Sequence, residues 1–143
     1  MYCSQSDICP SRISESRLIE LTNDSNVGVT VDTAVVNSAI EDADDIIDGF
    51  IRGKVSLPLV DTPKLIRQFS EAISVYNLYK RREMIELPES VTKDYDNAIK
   101  MLKLVQKGEL MLGTETSAVA SGNLSVNKTA EDRLFSKEKL SRF

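Results

Sequence analysis

Residues 32–63 of the chain read DTAVVNSAIEDADDIIDGFIRGKVSLPLVDTP. Apolar residues recur there at intervals of three and four, which places them on one stripe of a helix. Asp32 stands before the repeat as a good N-cap, and Gly53 stands after it, where a helix end favours a left-handed residue. We therefore predict a long helix between these two residues. Its buried stripe comprises Val36, Ala39, Ile40, Ala43, Ile46, Ile47 and Phe50.

A proline-set connector follows this helix. Pro58 pushes Leu57 out of the helical region and cannot donate to a sheet ladder. The segment Leu57 to Leu59 is therefore predicted to be extended and to lie outside any sheet. Thr62 then predicts the N-cap of the next helix, with Pro63 at its first helical position.

The same periodicity predicts the other helices. Two short ones are expected near residues 6–10 and 15–21, the second capped by Ser14. One long helix runs from Pro63 to about Met84, and another from Glu89 to Lys107, where Gly108 ends it. The fold class is all-α, a small bundle of two short and three long helices with an extended C-terminal arm. Residues 1–113 form the core and residues 114–143 the arm.

The three long helices are predicted to share one core. The buried stripe of the Pro63 helix comprises Leu65, Ile66, Phe69, Ala72, Ile73 and Tyr76. The stripe of the last long helix comprises Val91, Tyr95, Ala98, Ile99, Leu102 and Val105. We expect Ala43, Ile47 and Phe50 to be buried against Phe69, Ile73 and Ile99.

The composition is that of one domain with a modest core. The chain has 143 residues, of which 41% are hydrophobic. It contains no run of about 18 apolar residues, so no membrane span is expected. Met1 to Gln5 has neither a basic region nor an apolar stretch, so no signal peptide is expected. Cys3 and Cys9 are expected to be reduced thiols, with a short disulfide loop as the alternative.

The residue types that carry catalysis and metal binding are missing or badly spaced. The chain has no His, which is the commonest general base and metal ligand. The polar loop before Asp32 resembles a calcium loop, but Val27 and Ala34 fall at ligand positions and cannot bind the ion. No glycine-rich phosphate loop and no nucleophile motif is found. We therefore expect no enzyme activity, no metal and no cofactor.

The long central helix carries a cluster of acidic residues. They are Glu41, Asp42, Asp44, Asp45 and Asp48. At 100° per residue they spread over more than half the helix circumference, so they do not converge on a metal ion. We expect a solvated or partner-facing acidic face, with Glu41, Asp45 and Asp48 as interface candidates. Asp48 is also four residues before Arg52 and can pair with it.

Three consecutive cations, Lys80, Arg81 and Arg82, end the next helix. They allow three interpretations. Cations suit the negative end of a helix dipole, so they can be a simple charged helix end. They can also bind phosphate or DNA, or they can meet the acidic helix of a neighbouring chain.

The composition changes at Thr114. Residues 114–129 are rich in Ser, Thr, Ala, Gly and Asn and bury too little to fold alone. Large apolar residues then return beside a cation. We expect this end of the chain to dock on other proteins through Arg133, Leu134, Phe135, Leu140 and Phe143.

The order of short motifs along nearly the whole chain resembles that of a known family. In chain order the motifs are Asp7-Ile8, Leu21-Thr22, Gly28, Val31-Asp32, Ile47-Asp48-Gly49-Phe50, Leu57-Pro58-Leu59, Tyr79-Lys80-Arg81-Arg82, Tyr95-Asp96-Asn97-Ala98, Lys107-Gly108 and Asp132 to Leu140. They resemble a Mu-like phage protein family. That family is similar in size and helical content to head-tail adaptor (connector, or head completion) proteins of tailed phages.

The resemblance implies a structural subunit at the neck of the virion, between portal and tail. It implies a ring matched to the portal, hence a dodecamer, assembled in the host cytoplasm. The implied partners are further copies of the chain, the portal protein and a tail terminator or stopper protein. Packaged DNA would pass through the channel without sequence-specific binding, and no membrane is involved. The family implies no catalytic residues.

A function of another class stays open at this point. A small helical regulatory or nucleic-acid-binding protein would need a concentrated basic surface. Only residues 80–82 offer one, and the net charge of −4 opposes it. A DNA-binding titration at moderate salt would distinguish the two functions.

Overall fold

The computed structural model describes residues 1–24 and 29–112. Within these residues the elements are α1 (Gln5–Ile8), α2 (Glu15–Thr22), α3 (Thr33–Ile51), α4 (Lys64–Lys80) and α5 (Glu89–Lys107). The β pairing in this part of the chain amounts to one isolated bridge between Arg52 and Val55. The predicted all-α bundle of two short and three long helices is therefore confirmed. The predicted arm, residues 114–143, lies outside the described residues, so the division of the chain at residue 113 stays a prediction.

Helix ends lie where side chains and glycines favour them. The Oδ1 atom of Asp32 accepts the backbone N–H of Ala34 at 3.0 Å, which fixes the start of α3. The Ser14 hydroxyl accepts the N–H of Arg17 at 3.4 Å at the start of α2. Gly108 closes α5 with a φ of 83°, a left-handed conformation that costs glycine little. These predicted caps are confirmed.

Both ends of α4 differ from the prediction by one to four residues. Pro63, not Thr62, is the N-cap, because the ψ of Pro63 is 144° and helical backbone begins only at Lys64. The helix ends at Lys80 and not near Met84. There the N–H of Arg82 bonds to the carbonyl of Tyr79 at 3.0 Å, which tightens the last turn and ends the helix.

The long helices pack pairwise around two hydrophobic clusters, with α4 antiparallel to both α3 and α5. The first cluster joins α1, α2, the beginning of α3 and the end of α4, and Ile8, Leu18, Leu21, Val36, Ile40 and Leu78 are its fully buried members. The second joins the end of α3, the beginning of α4 and the end of α5, and Ala43, Ile47, Ile51, Ile66, Ile73 and Leu102 are fully buried there. It follows that α3 and α5 run parallel, with their C-termini at the same end of the bundle.

The predicted core is confirmed in part, because 12 of the 19 residues on the three predicted stripes are buried. Leu65, Tyr76, Val91, Tyr95 and Ile99 are among those that are only half-buried. Ala43, Ile47, Phe69 and Ile73 share the second cluster, and Ile99 is half-buried against it. Phe50 and Ile46, however, are only half-buried, whereas Ile51 is fully buried. Phe50 and Ile51 lie on opposite borders of the stripe, so the neighbouring helices and not the periodicity decide which of them is enclosed.

The connector after α3 is confirmed as lying outside any sheet of the described residues. Leu57 and Leu59 pack at the margin of the second cluster, and Pro58 is exposed between them, following a cis peptide bond.

Near the other end of the bundle, Tyr76 stacks on Tyr95 with ring centroids 4.0 Å apart. Cys3 and Cys9 are both free thiols.

Candidate interaction site

The outer side of α3 is an acidic face formed by Glu41, Asp42 and Asp45. Helix α3 carries five acidic residues and no basic one, and these three are exposed. None of the three forms an ion pair or hydrogen bond with another described residue. Three like charges within about 6 Å of helix rise give this face a strong negative potential.

The other two carboxylates of α3 are occupied by the N-terminal segment. The Oδ2 atom of Asp44 accepts the backbone N–H of Tyr2 at 2.8 Å and lies 3.5 Å from the N-terminal ammonium. Its Oδ1 atom accepts the hydroxyl of Ser70, on α4, at 2.7 Å. The Tyr2 hydroxyl donates to Asp48. Asp48 therefore contacts Tyr2 within the chain and does not form the expected pair with Arg52. Its carboxylate helps to hold the N-terminal segment on α3.

This N-terminal contact is a polar layer at the junction of the two clusters. Burial raises the pKa of the Tyr2 phenol, and the hydrogen bond and charge of Asp48 raise it further. Burial also raises the pKa of the Cys3 thiol, whose sulfur lies 3.2 Å from the Ser70 oxygen. Both groups are therefore neutral at pH 7 and act structurally. The layer was not predicted, although Ser70 and Ser74 are a detectable signal, being polar residues one turn apart inside an apolar helix face.

The basic end of α4 is largely used inside the molecule. The Nη1 atom of Arg81 lies 2.5 Å from the Oδ1 atom of Asp24, and its Nη2 atom donates to the carbonyl of Thr22 at 3.1 Å. Arg82 reaches the same carboxylate at 3.3 Å. Lys80 is exposed. Arg81 and Arg82 therefore hold the end of α2 against the end of α4.

A second basic surface, missed in the sequence, lies on α5. It is the lysine stripe Lys100, Lys103 and Lys107, all exposed, in a half of the helix that contains no acidic residue. None of the three has an ion-pair partner among the described residues, whereas Lys93, further up the helix, pairs with Glu89 at 2.7 Å. These cations are separated in sequence, so only their helical spacing opposite the apolar stripe could have identified them.

One cleft of the described bundle lies between two of the long helices. The cleft between the start of α3 and the end of α4 encloses about 450 Å³ and is lined by residues such as Val35, Asp42, Asn77 and Arg81. No set of three His, Cys, Asp or Glu side chains that could hold a metal ion occurs among residues 1–24 and 29–112. In the same residues, none of the helices has the length and apolar character needed to cross a membrane.

The remaining interface candidates are Arg133, Leu134, Phe135, Leu140 and Phe143. All five lie outside the described residues. Their role in docking stays a prediction.

Comparison with known proteins places the chain among phage proteins. A family model described as "Bacteriophage Mu, Gp36" matches residues 2–129, which include all five helices. The chain is 28% identical to gene product J of Escherichia phage Mu over 120 residues, 84% of this chain and 82% of that protein. It is 32% identical to the Mu-like prophage FluMu protein gp36 of Haemophilus influenzae over 84 residues, 59% of this chain and 57% of that protein.

Proposed function

Because the chain belongs to the Bacteriophage Mu Gp36 family, we propose that it is a structural head-tail adaptor (connector) subunit that forms a ring between portal and tail. The observation that carries the proposal is the family match across residues 2–129, together with the resemblance of the chain to adaptor proteins in size and helical content. A phage protein family of this kind suggests a structural or morphogenetic role. The neck of the virion is the specific site that we propose for it.

The distribution of charge on the bundle supports a role in assembly. A closed ring of identical subunits needs a heterologous interface, in which two different faces of each subunit meet. The bundle offers two such faces, because the outer side of α3 is acidic and the outer side of α5 is basic. The proposed mechanism is therefore packing of helices side by side around a channel. We propose no enzyme activity and no cofactor.

The proposed partners are further copies of the chain in a dodecameric ring, the portal protein, and a tail terminator or stopper protein. Packaged DNA would pass through the channel without sequence-specific contacts, which agrees with a net charge of −4. The proposed location is the neck of the virion, after assembly in the host cytoplasm.

The test is a mass measurement of the purified protein, alone and mixed with portal protein. We expect a ring-sized complex that co-purifies with portal. Particles made without this chain should carry filled heads that lack tails. A chain that stays monomeric, ignores portal and is absent from particles would refute the proposal. Tight binding to duplex DNA at moderate salt would favour a nucleic-acid-binding protein instead.

A further inference from the structure

Two outward faces of the bundle carry opposite charge and have no ion partner among residues 1–24 and 29–112. At 100° per residue, Asp45 lies about 160° from the fully buried Ile47 on α3. Lys100 lies about 160° from the fully buried Leu102 on α5 by the same reckoning. Both charged sets therefore point away from the core that α3 and α5 share.

Three charges of one sign on one helix face, and not the lack of an ion pair alone, distinguish these two surfaces from the rest of the bundle. Arg12 is 3.1 Å from Glu71, Arg17 is 2.7 Å from Glu20, and Arg81 is 2.5 Å from Asp24. The acidic face and the lysine stripe, in contrast, have no ion partner in the described residues, although each holds three charges of one sign. Such a concentration repels itself, so an oppositely charged partner surface would relieve it.

The spacing of the two sets matches. Glu41 and Asp45 are one helical turn apart, and so are Lys103 and Lys107. Both pairs therefore span about 6 Å along their helices. Because α3 and α5 run parallel within one bundle, α3 of one copy would also be parallel to α5 of the next copy in a ring whose axis follows these helices.

We infer that neighbouring copies of this chain join through the acidic face of α3 on one copy and the lysine stripe of α5 on the next. This inference rests on the proposed ring and names its subunit contact. It replaces the end of α4 as the basic side of the interface, because Arg81 and Arg82 already bind Asp24 within the subunit.

The test uses two complementary charge reversals in the full-length chain. One variant is Glu41→Lys/Asp45→Lys, and the other is Lys100→Glu/Lys103→Glu. Each variant alone presents like charges at every contact, so we expect the concentration for half-assembly to rise at least tenfold. Mixed in equal amounts, the two should assemble together, since each supplies the face that the other has lost. Native mass spectrometry would show alternating subunits.

Controls separate this contact from folding and from general charge effects. All four positions are exposed, so circular dichroism and the melting temperature should match those of the parent. Glu83→Lys/Glu86→Lys changes the net charge as Glu41→Lys/Asp45→Lys does, at exposed positions beyond α4, and it should assemble like the parent. Assembly of either reversal alone at parental concentration would overturn the inference, as would failure of the mixture to assemble.

The outcomes also distinguish this contact from the proposed function. If the reversed variants form normal rings and join particles, the neck function stands and the contact is wrong. If the parent stays monomeric at its highest soluble concentration, the contact is equally overturned. Recovery of that monomer in particles would still support a neck protein. If the lysine stripe served DNA, the Lys100→Glu/Lys103→Glu variant would assemble normally and lose only DNA retention.

Discussion

Asp44 connects three parts of the chain through one carboxylate. It accepts hydrogen bonds from Tyr2 and Ser70 and lies 3.5 Å from the N-terminal ammonium. Its side chain is 14% exposed, and Ser70 is fully buried. Replacing Asp44 would leave the half-buried N–H of Tyr2 without this acceptor and the Ser70 hydroxyl with only the Cys3 sulfur as an acceptor among the described residues. An enclosed donor that loses its acceptor costs more stability than a hydrogen bond lost at an exposed position.

We expect Asp44→Ala to lower the free energy of unfolding by about 1–3 kcal/mol. The next residue offers a matched control, since Asp45 is exposed and has no hydrogen bond in the described residues. Asp45→Ala should change stability by less than about 0.5 kcal/mol. Urea unfolding of both variants measures the difference, and equal midpoints would contradict the role given to Asp44.

The raised pKa values of Tyr2 and Cys3 predict a loss of stability at alkaline pH. Their ordinary values are 10.0 and 9.0. In the folded chain both protons are held more tightly, so this contribution to stability is complete below pH 9 and declines as the pH rises further. We expect the free energy of unfolding to fall between pH 9 and 11. Tyr2→Phe should flatten that decline above pH 10, and an unchanged slope would contradict the burial of the phenol.

At the scale of single elements, Ile47 and Phe50 test how the stripe of α3 is enclosed. Ile47 is fully buried in the second cluster, whereas Phe50 is half-buried at its margin. We expect Ile47→Ala to cost about 2–5 kcal/mol from lost burial plus a cavity. Phe50→Ala should cost less than Ile47→Ala, because part of its ring already contacts water. Thermal unfolding compares them, and the reverse order would show that Phe50 is the enclosed residue.

Two glycines should respond in opposite directions to the same substitution. Gly49 lies inside α3 with nothing within 4 Å of an added methyl group, so Gly49→Ala should stabilise by about 0.5–1 kcal/mol. Gly108 has a φ of 83°, so Gly108→Ala should destabilise by about 1–2 kcal/mol. Among the described residues, an added methyl at Gly108 meets the Lys54 Nζ at 3.5 Å, an ordinary contact distance, so backbone strain is the expected cause. Chemical denaturation with a shared parent measures both signs.

The elements themselves follow from the sequence because helical periodicity and caps such as Asp32 are local. Burial at the borders of a stripe depends on the neighbouring helices. The sequence therefore predicts burial of Phe50, whereas Ile51 is the residue that the structure encloses fully. The contacts of the charged residues in the candidate site are even harder to predict from the sequence. Asp48 binds a tyrosine 46 positions away and Arg81 binds an aspartate 57 positions away. The role of each charged residue depends on which distant segment of the chain packs beside it.

For the whole molecule, the described residues of the bundle form two hydrophobic clusters. The described members of both clusters lie between Tyr2 and Leu112. The predicted docking residues follow later in the chain. Stability and docking should therefore be separable by deletion.

We expect removal of residues 114–143 to leave the melting temperature close to that of the full chain. Joining of the truncated protein to particles should fail, because Leu134 and Phe135 are proposed to dock on a neighbouring protein. Calorimetry and the occupancy of purified particles measure the two effects. Normal occupancy of the truncated protein would exclude this segment as the docking element.

The division of the core into two clusters has a further consequence for motion. Helices α1 and α2 contribute to the first cluster, and the end of α5 contributes to the second, while α3 and α4 belong to both. Each end of the bundle can therefore open transiently while the other stays closed, with the α3–α4 pair as a common frame. Amide protons in α3 and α4 would then be the last to exchange with solvent. We therefore expect that a partner protein could open one end of the bundle while the other end stays folded.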